Sequence, residues 1–342
     1  MSRLALAPLL LALVACQAPP PRWEVRQLGQ EPLAPIEHVN AVAVMPGQVW
    51  ASLQGLTPGG DRWRRALGCS DDAGLTWRQV PARGLGDVIC LAAGPGVLLA
   101  GNADGLWISR DGGETFRAID PRLPEGTIPQ LAAVAAGDPA RLFSVTQEGR
   151  LTASVDGGVS WSWLPDCAGS PAALLPVAGR VLLLNEVGLF AWSEGQGDWT
   201  RLSPHGSPAP GGLAASTDGR LIVATTRPRG DADRIALSRD SGQTWTLLAG
   251  IRSVVDVELD PRDPATLYAL TSSSDASLLV SRDRGESWSP LSGDLGPDHG
   301  LGVWTGSELW VLPTPEGRTS LLVTSRLDRR ALFLADAGRV PR

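Results

Sequence analysis

The chain has 342 residues, with 40 glycines, 28 prolines and a hydrophobic content of 43%, which is enough for one large globular unit or two of ordinary size. It carries 30 basic residues, all of them arginine, against 36 acidic residues, for a net charge of -6. This balance argues against a general nucleic-acid binder, which needs a basic footprint to neutralise phosphates, so no nucleic-acid partner is predicted.

The N-terminus reads as an export signal. Arg3 precedes the apolar run LALAPLLLALVA (4–15) and Cys16, a stretch too short to span a bilayer as a mature helix. The residues LVAC (13–16) resemble the lipobox of bacterial lipoproteins, in which cleavage precedes the cysteine and its sulfur receives a diacylglyceryl group. The alternative is a plain signal peptide with an incidental cysteine.

From this resemblance we predict a signal peptide over 1–15, and a lipidated Cys16 with a flexible, proline-rich tether over 16–22. The protein is then expected in the bacterial cell envelope, outside the cytoplasm and anchored in a membrane by its lipid. Gln17 is not the aspartate that favours inner-membrane retention in enteric-type sorting, so the outer membrane is preferred if the cell has one.

Three cysteines remain after such cleavage, Cys69, Cys90 and Cys167, and an odd number cannot all pair within one chain. A Cys69–Cys90 bridge is possible, but sequence cannot judge its geometry. The cysteines lack metal-ligand spacing and the three histidines are scattered, so neither a metal nor a cofactor is predicted.

Along the chain, one eight-residue turn recurs, as SRDGGETF (109–116), SRDSGQTW (238–245) and SRDRGESW (281–288). Related copies begin at Ser70 and Ser154, and a worn copy, SEGQGDW (193–199), has lost the aspartate and one residue. The first serines fall at 70, 109, 154, 193, 238 and 281. A period of about 40 to 45 residues indicates a repeat architecture.

Each period holds short apolar segments with the two-residue alternation of strands. An apolar stretch precedes each turn and an aromatic-led strand follows it. Seven further strands lie upstream of these turns, at 49–54, 97–102, 141–147, 180–185, 220–226, 266–271 and 308–313. The pattern predicts an all-β fold, a seven-bladed β-propeller of four-stranded antiparallel blades over residues 23–342. Either 22–28 or 330–336 could supply the strand that completes the last blade.

The repeated turn, S-x-D-x-G-x-[ST]-[WF], resembles the Asp-box or BNR repeat of sialidases, sortilins, some glycoside hydrolases and the photosystem II assembly factor family. The resemblance implies that the turns are structural. Asp side chains bond backbone N–H groups about two residues on, glycine supplies a positive φ, and the aromatic residue packs between strands. A structural role is therefore expected for the five aspartates Asp72, Asp111, Asp156, Asp240 and Asp283.

A binding site is expected on the opposite face of the disc. Successive turns of an antiparallel meander alternate between faces, so the variable loops 54–68, 120–130, 203–212, 226–234 and 292–300 share the face away from the repeated turns. Candidates to surround its mouth are Glu37, His38, Arg62, Trp63, Arg64, Arg65, Arg227, Arg229 and His299. Ordinary solvated loop residues would look the same.

Three functions are compatible with this fold: an enzyme, a glycan-binding propeller and a protein-binding or assembly scaffold. A sialidase needs a tyrosine nucleophile, an acid/base aspartate and an arginine triad, whereas this chain has one tyrosine, Tyr268, inside an apolar strand, and lacks the F/Y-R-I-P signature. A glycosidase with two opposed carboxylates remains open, with Glu37, Asp87, Asp231, Asp233 and Asp298 near predicted loops, but no spacing singles out a pair and no catalytic residue is assigned. A glycan-binding propeller is a further alternative.

A protein-binding or assembly scaffold is preferred, because the chain combines a rigid disc, a tether and adaptable loops. Photosynthesis is not implied, because the glycine- and tryptophan-rich blade motif of the photosystem assembly factors is missing. We expect a monomer with a protein or acidic glycan partner.

Overall fold

A computed structural model describes the chain over residues 23–27, 36–45, 47–56, 63–72, 76–83, 85–86, 88–94, 96–119, 129–135, 139–146, 149–202, 207–227, 234–272, 278–291, 307–313, 319–325 and 331–336. The predicted signal peptide, Cys16 and the tether lie outside these residues. Within them the strands form seven four-stranded antiparallel sheets, so the predicted propeller and its blade count are confirmed. In the part described, no helix has the length and apolar character needed to cross a bilayer.

The first three blades follow one another along the chain, each ordered from its inner to its outer strand. Blade 1 comprises β2 (Ile36–Met45), β3 (Gln48–Leu56), β4 (Trp63–Ser70) and β5 (Arg78–Val80). Blade 2 comprises β6 (Cys90–Gly94), β7 (Val97–Asn102), β8 (Gly105–Ser109) and β9 (Arg117–Ala118). Blade 3 comprises β10 (Pro129–Ala135), β11 (Arg141–Thr146), β12 (Leu151–Ser154) and β13 (Ser162–Trp163).

The next three blades repeat this order. Blade 4 comprises β14 (Pro171–Val177), β15 (Arg180–Asn185), β16 (Leu189–Ser193) and β17 (Thr200–Arg201). Blade 5 comprises β18 (Ser207–Ala215), β19 (Ile222–Arg227), β20 (Arg234–Ser238) and β21 (Thr246–Leu247). Blade 6 comprises β22 (Val254–Leu259), β23 (Leu267–Thr271), β24 (Leu278–Ser281) and β25 (Ser289–Pro290).

Blade 7 closes the ring with strands from both ends of the chain. It comprises β26 (Ser307–Pro313), β27 (Thr319–Ser325), β28 (Ala331–Asp336) and, outermost, β1 (Trp23–Gln27). Both segments that could complete the last blade therefore belong to it, with β28 as its third strand and β1 as its fourth. The segment 308–313, predicted as a second strand, is the first strand of its blade, because only β27 and β28 follow it in the described chain and β1 takes the fourth position.

The core lies in the seams between blades. Side chains of a strand alternate between its two faces, and in β7 Val97 and Leu99 pack toward blade 3 while Leu98 and Ala100 pack toward blade 1. Because both faces of each inner strand pair are buried, these segments read as continuous apolar runs. One apolar cluster fills each of the seven seams among the described residues.

The aromatic residue that ends each repeated turn packs into one of these seams. Trp77, Phe116 and Trp245 are buried there, while Trp161 and Trp288 are partly buried. In every case the cluster joins the aromatic residue's own blade to the preceding one. The large apolar surface of these rings thus stabilises blade-to-blade contact as well as the hairpin itself.

The disc has two faces that differ in their connections. The repeated turns join the third and fourth strands of a blade and lie beside the turns between its first and second strands. Backbone bonds link the two kinds of turn, from Ser241 N–H to Arg220 O at 3.0 Å and from Arg284 N–H to Ala265 O at 2.9 Å. We call this the Asp-box face, and the face with the remaining connections the variable-loop face.

Candidate functional site

In each repeated turn, one aspartate accepts hydrogen bonds from the serine two residues before it and from the serine or threonine four residues after it. In blade 5, Asp240 Oδ1 accepts from the Ser238 hydroxyl at 2.8 Å and the Thr244 N–H at 2.8 Å, and Oδ2 accepts from the Thr244 hydroxyl at 2.5 Å. Gly242 N–H donates to Ser238 Oγ at 2.7 Å. The serine, the aspartate and the serine or threonine of the motif each therefore have a hydrogen-bonding partner within the turn.

The other turns repeat this geometry. Thr76, Thr115, Ser160 and Ser287 each donate both a hydroxyl and a backbone N–H to the aspartate four residues before them. The expected bond two residues on was wrong, because the turn folds back far enough to bring the hydroxyl residue itself onto the carboxylate. The predicted positive φ is present, for example 82° at Gly113 and 93° at Gly158.

These hydrogen bonds stabilise the ionised carboxylates. The pKa of Asp111, Asp240 and Asp283 is lowered from 3.8 to about 2, chiefly by the hydroxyl four residues on and then by the N–H of the same residue. The pKa of Asp156 is lowered further by the same contacts from Ser160. A carboxylate held ionised by its own turn is poorly suited to general acid chemistry at neutral pH.

Blade 1 holds most of the predicted binding residues. Trp63, Arg64 and Arg65 were expected in a loop but begin β4, paired with Leu56, Gly55 and Gln54 of β3. The expectation failed because strand pairing is made by the backbone and continues into a segment that includes charged and polar residues. Glu37 and His38 lie on β2, and the register aligns His38 with Gln54. The fold therefore brings these five positions to one end of one blade.

This hairpin is longer than its neighbour in blade 2. The two hairpins can be compared from the first serine of each repeated turn. From Ser70, the pairing of β3 with β4 continues to Leu56 and Trp63, whereas from Ser109 the pairing of β7 with β8 stops at Asn102 and Gly105. Three extra paired positions extend blade 1 by about 10 Å at a rise of roughly 3.3 Å per residue. The third-strand members of these extra pairs are Trp63, Arg64 and Arg65.

The remaining candidates are not gathered at blade 1. Arg227 ends β19 in blade 5, exposed at the variable-loop face and paired with Ser207. The predicted loop 203–212 is largely strand β18, and its register shifts between Pro208 and Leu213, in keeping with prolines that donate no ladder hydrogen bond. Arg62, Arg229 and His299 lie outside the described residues.

The tyrosine and the three cysteines singled out in the sequence are buried or partly buried. Tyr268 is only 5% exposed, packed within β23. No group of three or more His, Cys, Asp or Glu is placed to hold a metal ion in the part of the chain described. Cys69, Cys90 and Cys167 form no disulfide, so the possible Cys69–Cys90 bridge is absent, and burial raises their pKa to about 11, 12 and 11 respectively.

The inner strand β22 carries two acids that were not among the predicted site residues, Asp256, which is buried, and Glu258, which is partly exposed. Burial raises the pKa of Asp256 to about 7, reinforced by the charge of Glu308 and opposed by the N–H groups of Leu309 and Val257. The pKa of Glu258 is also raised, by burial and then by the charge of Asp256. The alternation in VVDVEL (254–259) contained this signal, since acids at a two-residue spacing occupy one side of a strand.

A cavity of about 450 Å³ opens on the Asp-box face where blades 3, 4 and 5 meet. It lies beside the worn repeat of blade 4 and was not predicted. The signal was in the sequence, because the copy at 193–199 lacks both the aspartate and one residue of the turn.

Comparisons with known proteins support the fold. No protein-family model matches the chain, and no curated protein matches it in sequence. Among solved structures, the chain resembles "YCF48 bound to D1 peptide" with a TM-score of 0.63 and 20% identity, over 93% of this chain and 97% of that one. The extracellular domain of the "putative one component system BT4673" from B. thetaiotaomicron gives a TM-score of 0.61 and 12% identity, covering 92% of this chain and 40% of that one.

A glycoside hydrolase is also similar in fold. The GH74 enzyme of Niastella koreensis gives a TM-score of 0.56 and 17% identity over 84% of this chain. The match takes in 50% of the enzyme's own chain, so the present chain corresponds to half of that protein.

Proposed function

We propose that this protein is a membrane-tethered, extracytoplasmic β-propeller that acts as a protein-binding or assembly scaffold, with its binding surface on the variable-loop face. The observation that carries the proposal is the extended hairpin of blade 1. It carries Trp63, Arg64 and Arg65 on the paired positions that exceed the length of the blade 2 hairpin. A strand of a scaffold positions binding residues more precisely than a loop does.

The residue types suggest the chemistry of the partner. Arginine presents a planar fork that matches carboxylates, and tryptophan adds an apolar and cation-π surface. An acidic protein segment therefore fits this surface better than a neutral one. Two blades, 6 and 7, separate Arg227 in blade 5 from blade 1 around the ring, so Arg227 would meet a different part of a large partner.

The topology of blade 7 favours an orientation in which this surface faces away from the membrane. Strand β1 is antiparallel to β28, with Trp23 paired to Asp336 and Gln27 to Leu332. Because β28 runs toward the Asp-box face, β1 enters the disc from that face. A lipidated Cys16, seven positions before Trp23, would then hold the Asp-box face within about 25 Å of its anchor.

The fold comparisons give a precedent for a protein partner. The YCF48 structure, which this chain matches over nearly the whole of both chains, is described as bound to a peptide of D1. A single propeller of this size is therefore able to bind a peptide.

A glycan-binding or glycoside-hydrolase-like propeller is the alternative, and the likeness to the GH74 enzymes favours it. The two functions differ in what they capture. Binding of an acidic oligosaccharide, with or without its cleavage, by purified protein would support the alternative.

Site-specific crosslinking in intact cells tests the proposal. A photoreactive amino acid at position 63 should capture a discrete protein, whereas the same group at Gln243, exposed on the Asp-box face, should not. Equal capture at both positions, or capture at position 243 alone, would contradict the proposal.

A further inference from the structure

The repeated turns close the seams between blades on the Asp-box face. Each motif glycine that the structure describes lies against a side chain of the preceding blade, and a Cβ added there would come within 2.7 Å of Trp50 at Gly113, 3.1 Å of Ile108 at Gly158 and 2.9 Å of Leu202 at Gly242. A side chain at any of these positions would therefore have to displace the neighbouring side chain. An intact turn is therefore a seal over its seam.

Blade 4 lacks this seal. Its worn turn keeps Gly195 and Gly197, but a Cβ at either would meet nothing within 4 Å. The aromatic residue of the motif is retained as Trp199, which packs in the seam between blades 3 and 4. The seam is thus filled in its interior and open at the Asp-box face, where the cavity lies.

The cavity wall is largely apolar. It is contributed by Phe143 and Val155 of blade 3 and by Leu175, Val177 and Trp192 of blade 4. Val155 stands where three of the other turns have arginine, and it is 45% exposed. A volume of about 450 Å³ lies within the range of small-molecule sites.

Two arginines stand at corresponding positions, the first residues of β11 and β15, and both line the cavity. Arg141 is neutralised by Glu194 of the worn turn, with Nη2 at 3.0 Å from Oε2. Arg180 has backbone partners, since its Nη2 donates to Gly219 O and Ser241 O at 3.1 Å each. No carboxylate of the described residues ion-pairs with Arg180.

Arg180 therefore brings an uncompensated positive charge to a partly enclosed, mainly apolar space. Burial lowers its pKa, which is the direction expected when a cation loses hydration. An anion in the cavity would accept a charge-assisted hydrogen bond from this guanidinium. Such a bond is stronger than a hydrogen bond between two neutral groups.

We propose that this cavity is a binding site for small monocarboxylates with an apolar body, with the carboxylate on Arg180 and the body against Leu175, Val177 and Phe143. The site is separate from the partner surface proposed above and lies on the opposite face of the disc. A neutral ligand would leave the charge of Arg180 without an anionic partner, and Arg180 would repel a cation.

Binding can be measured on the purified propeller by calorimetry and by ligand-detected NMR. The probes are phenylacetate and hexanoate, with phenylacetamide as the neutral counterpart of the first. Phenylacetate should bind at least about tenfold more tightly than phenylacetamide, the scale of one lost charge-assisted hydrogen bond. No binding of either carboxylate at millimolar concentration would overturn the proposal, as would equal affinity for the acid and the amide.

Two variants probe the site from different sides. Arg180→Gln removes the charge, and Val155→Trp fills the mouth without touching Arg180 or its backbone partners. Both should lose phenylacetate binding by tenfold or more, while Arg239→Gln, exposed on the same face and not lining the cavity, should bind like the wild type. If Val155→Trp binds normally, the ligand is not in the cavity and the proposal fails, whatever Arg180→Gln does.

Discussion

The backbone N–H of Leu309 donates a hydrogen bond to Asp256 Oδ2 at 2.7 Å. A side chain on the inner strand of blade 6 thereby satisfies a backbone group on the inner strand of blade 7, where no further strand is available to pair with it. Asp256 is only 8% exposed, and its other oxygen lies beside Gly212 of blade 5, where any side chain would collide with it. The acid thus lies at the junction of three blades.

Replacing this acid should change how stability depends on pH. The pKa of Asp256 is raised from 3.8 to about 7 in the folded state, so folding favours the protonated acid. Its contribution to stability is fully present below about pH 4 and falls as pH rises toward 7. Asp256→Asn keeps an oxygen for Leu309 and removes the titration, so it should flatten the loss of stability over this range.

Urea unfolding at several pH values measures this effect. Glu258 and Glu308 remain in the variant, so part of the pH dependence should persist. The exposed Glu286→Gln is the control and should follow the wild type. An Asp256→Asn protein that loses as much stability as the wild type between pH 4 and pH 7 would contradict the assignment.

The repeated aspartates should show the opposite pH dependence. The pKa of Asp240 is lowered to about 2, so its stabilising effect is present above about pH 4 and is lost as pH falls toward 2. Asp240→Ala should lower the urea midpoint at pH 7, and the difference from wild type should shrink in acid. Asp198→Ala is the matched control, because Asp198 belongs to the worn turn and accepts from Trp199 N–H alone among the described contacts. Unchanged stability of Asp240→Ala at pH 7 would mean that the turn does not depend on its carboxylate.

The sealing role of the motif glycine can be separated from its conformational role. Gly285 and Gly195 have similar φ angles, 87° and 82°, but only Gly285 lies against a neighbouring side chain, Leu248. Gly195→Ala should cost about 1 kcal/mol for the strained backbone, and Gly285→Ala about 1–3 kcal/mol more for overpacking. Equal losses of unfolding free energy in the two variants would show that the seam is not tightly closed at blade 6.

The proposed anchor predicts a defined chemical change at Cys16. The wild-type protein should carry acyl chains on that residue and partition into the detergent phase of a phase-separating detergent. Cys16→Ser should be unacylated and remain in the aqueous phase. Mass spectrometry of the mature N-terminus checks this directly, and an unmodified wild-type cysteine would remove the anchor from the account.

Much of the fold followed from local sequence patterns. Apolar alternation in segments such as VLLAGN (97–102) marked the strands, and the regular spacing of Ser70, Ser109 and Ser154 marked the blades. Ring closure did not follow, because the pairing of β1 with β28 joins residues more than 300 positions apart. No local pattern reports contacts at such a separation.

The candidate sites were harder to predict than the fold. The expected loop at Trp63, Arg64 and Arg65 is a strand, because backbone pairing can continue where side chains are polar. The cavity beside Arg180 arises from the absence of a turn, and its shape depends on how three blades meet. The residues of the worn repeat signalled a difference at blade 4, whereas the enclosed volume required the packed structure.

The affinity of the captured partner tests the proposed function most directly. The partner identified by crosslinking at position 63 would be titrated against the wild type, Arg64→Ala/Arg65→Ala and Arg282→Ala, the last altering an exposed arginine of the Asp-box face. We expect a loss of affinity of roughly tenfold or more in the double variant alone, and a smaller loss at high salt because exposed charges are screened. Equal affinity for all three proteins, or a loss confined to Arg282→Ala, would contradict a binding surface on the variable-loop face.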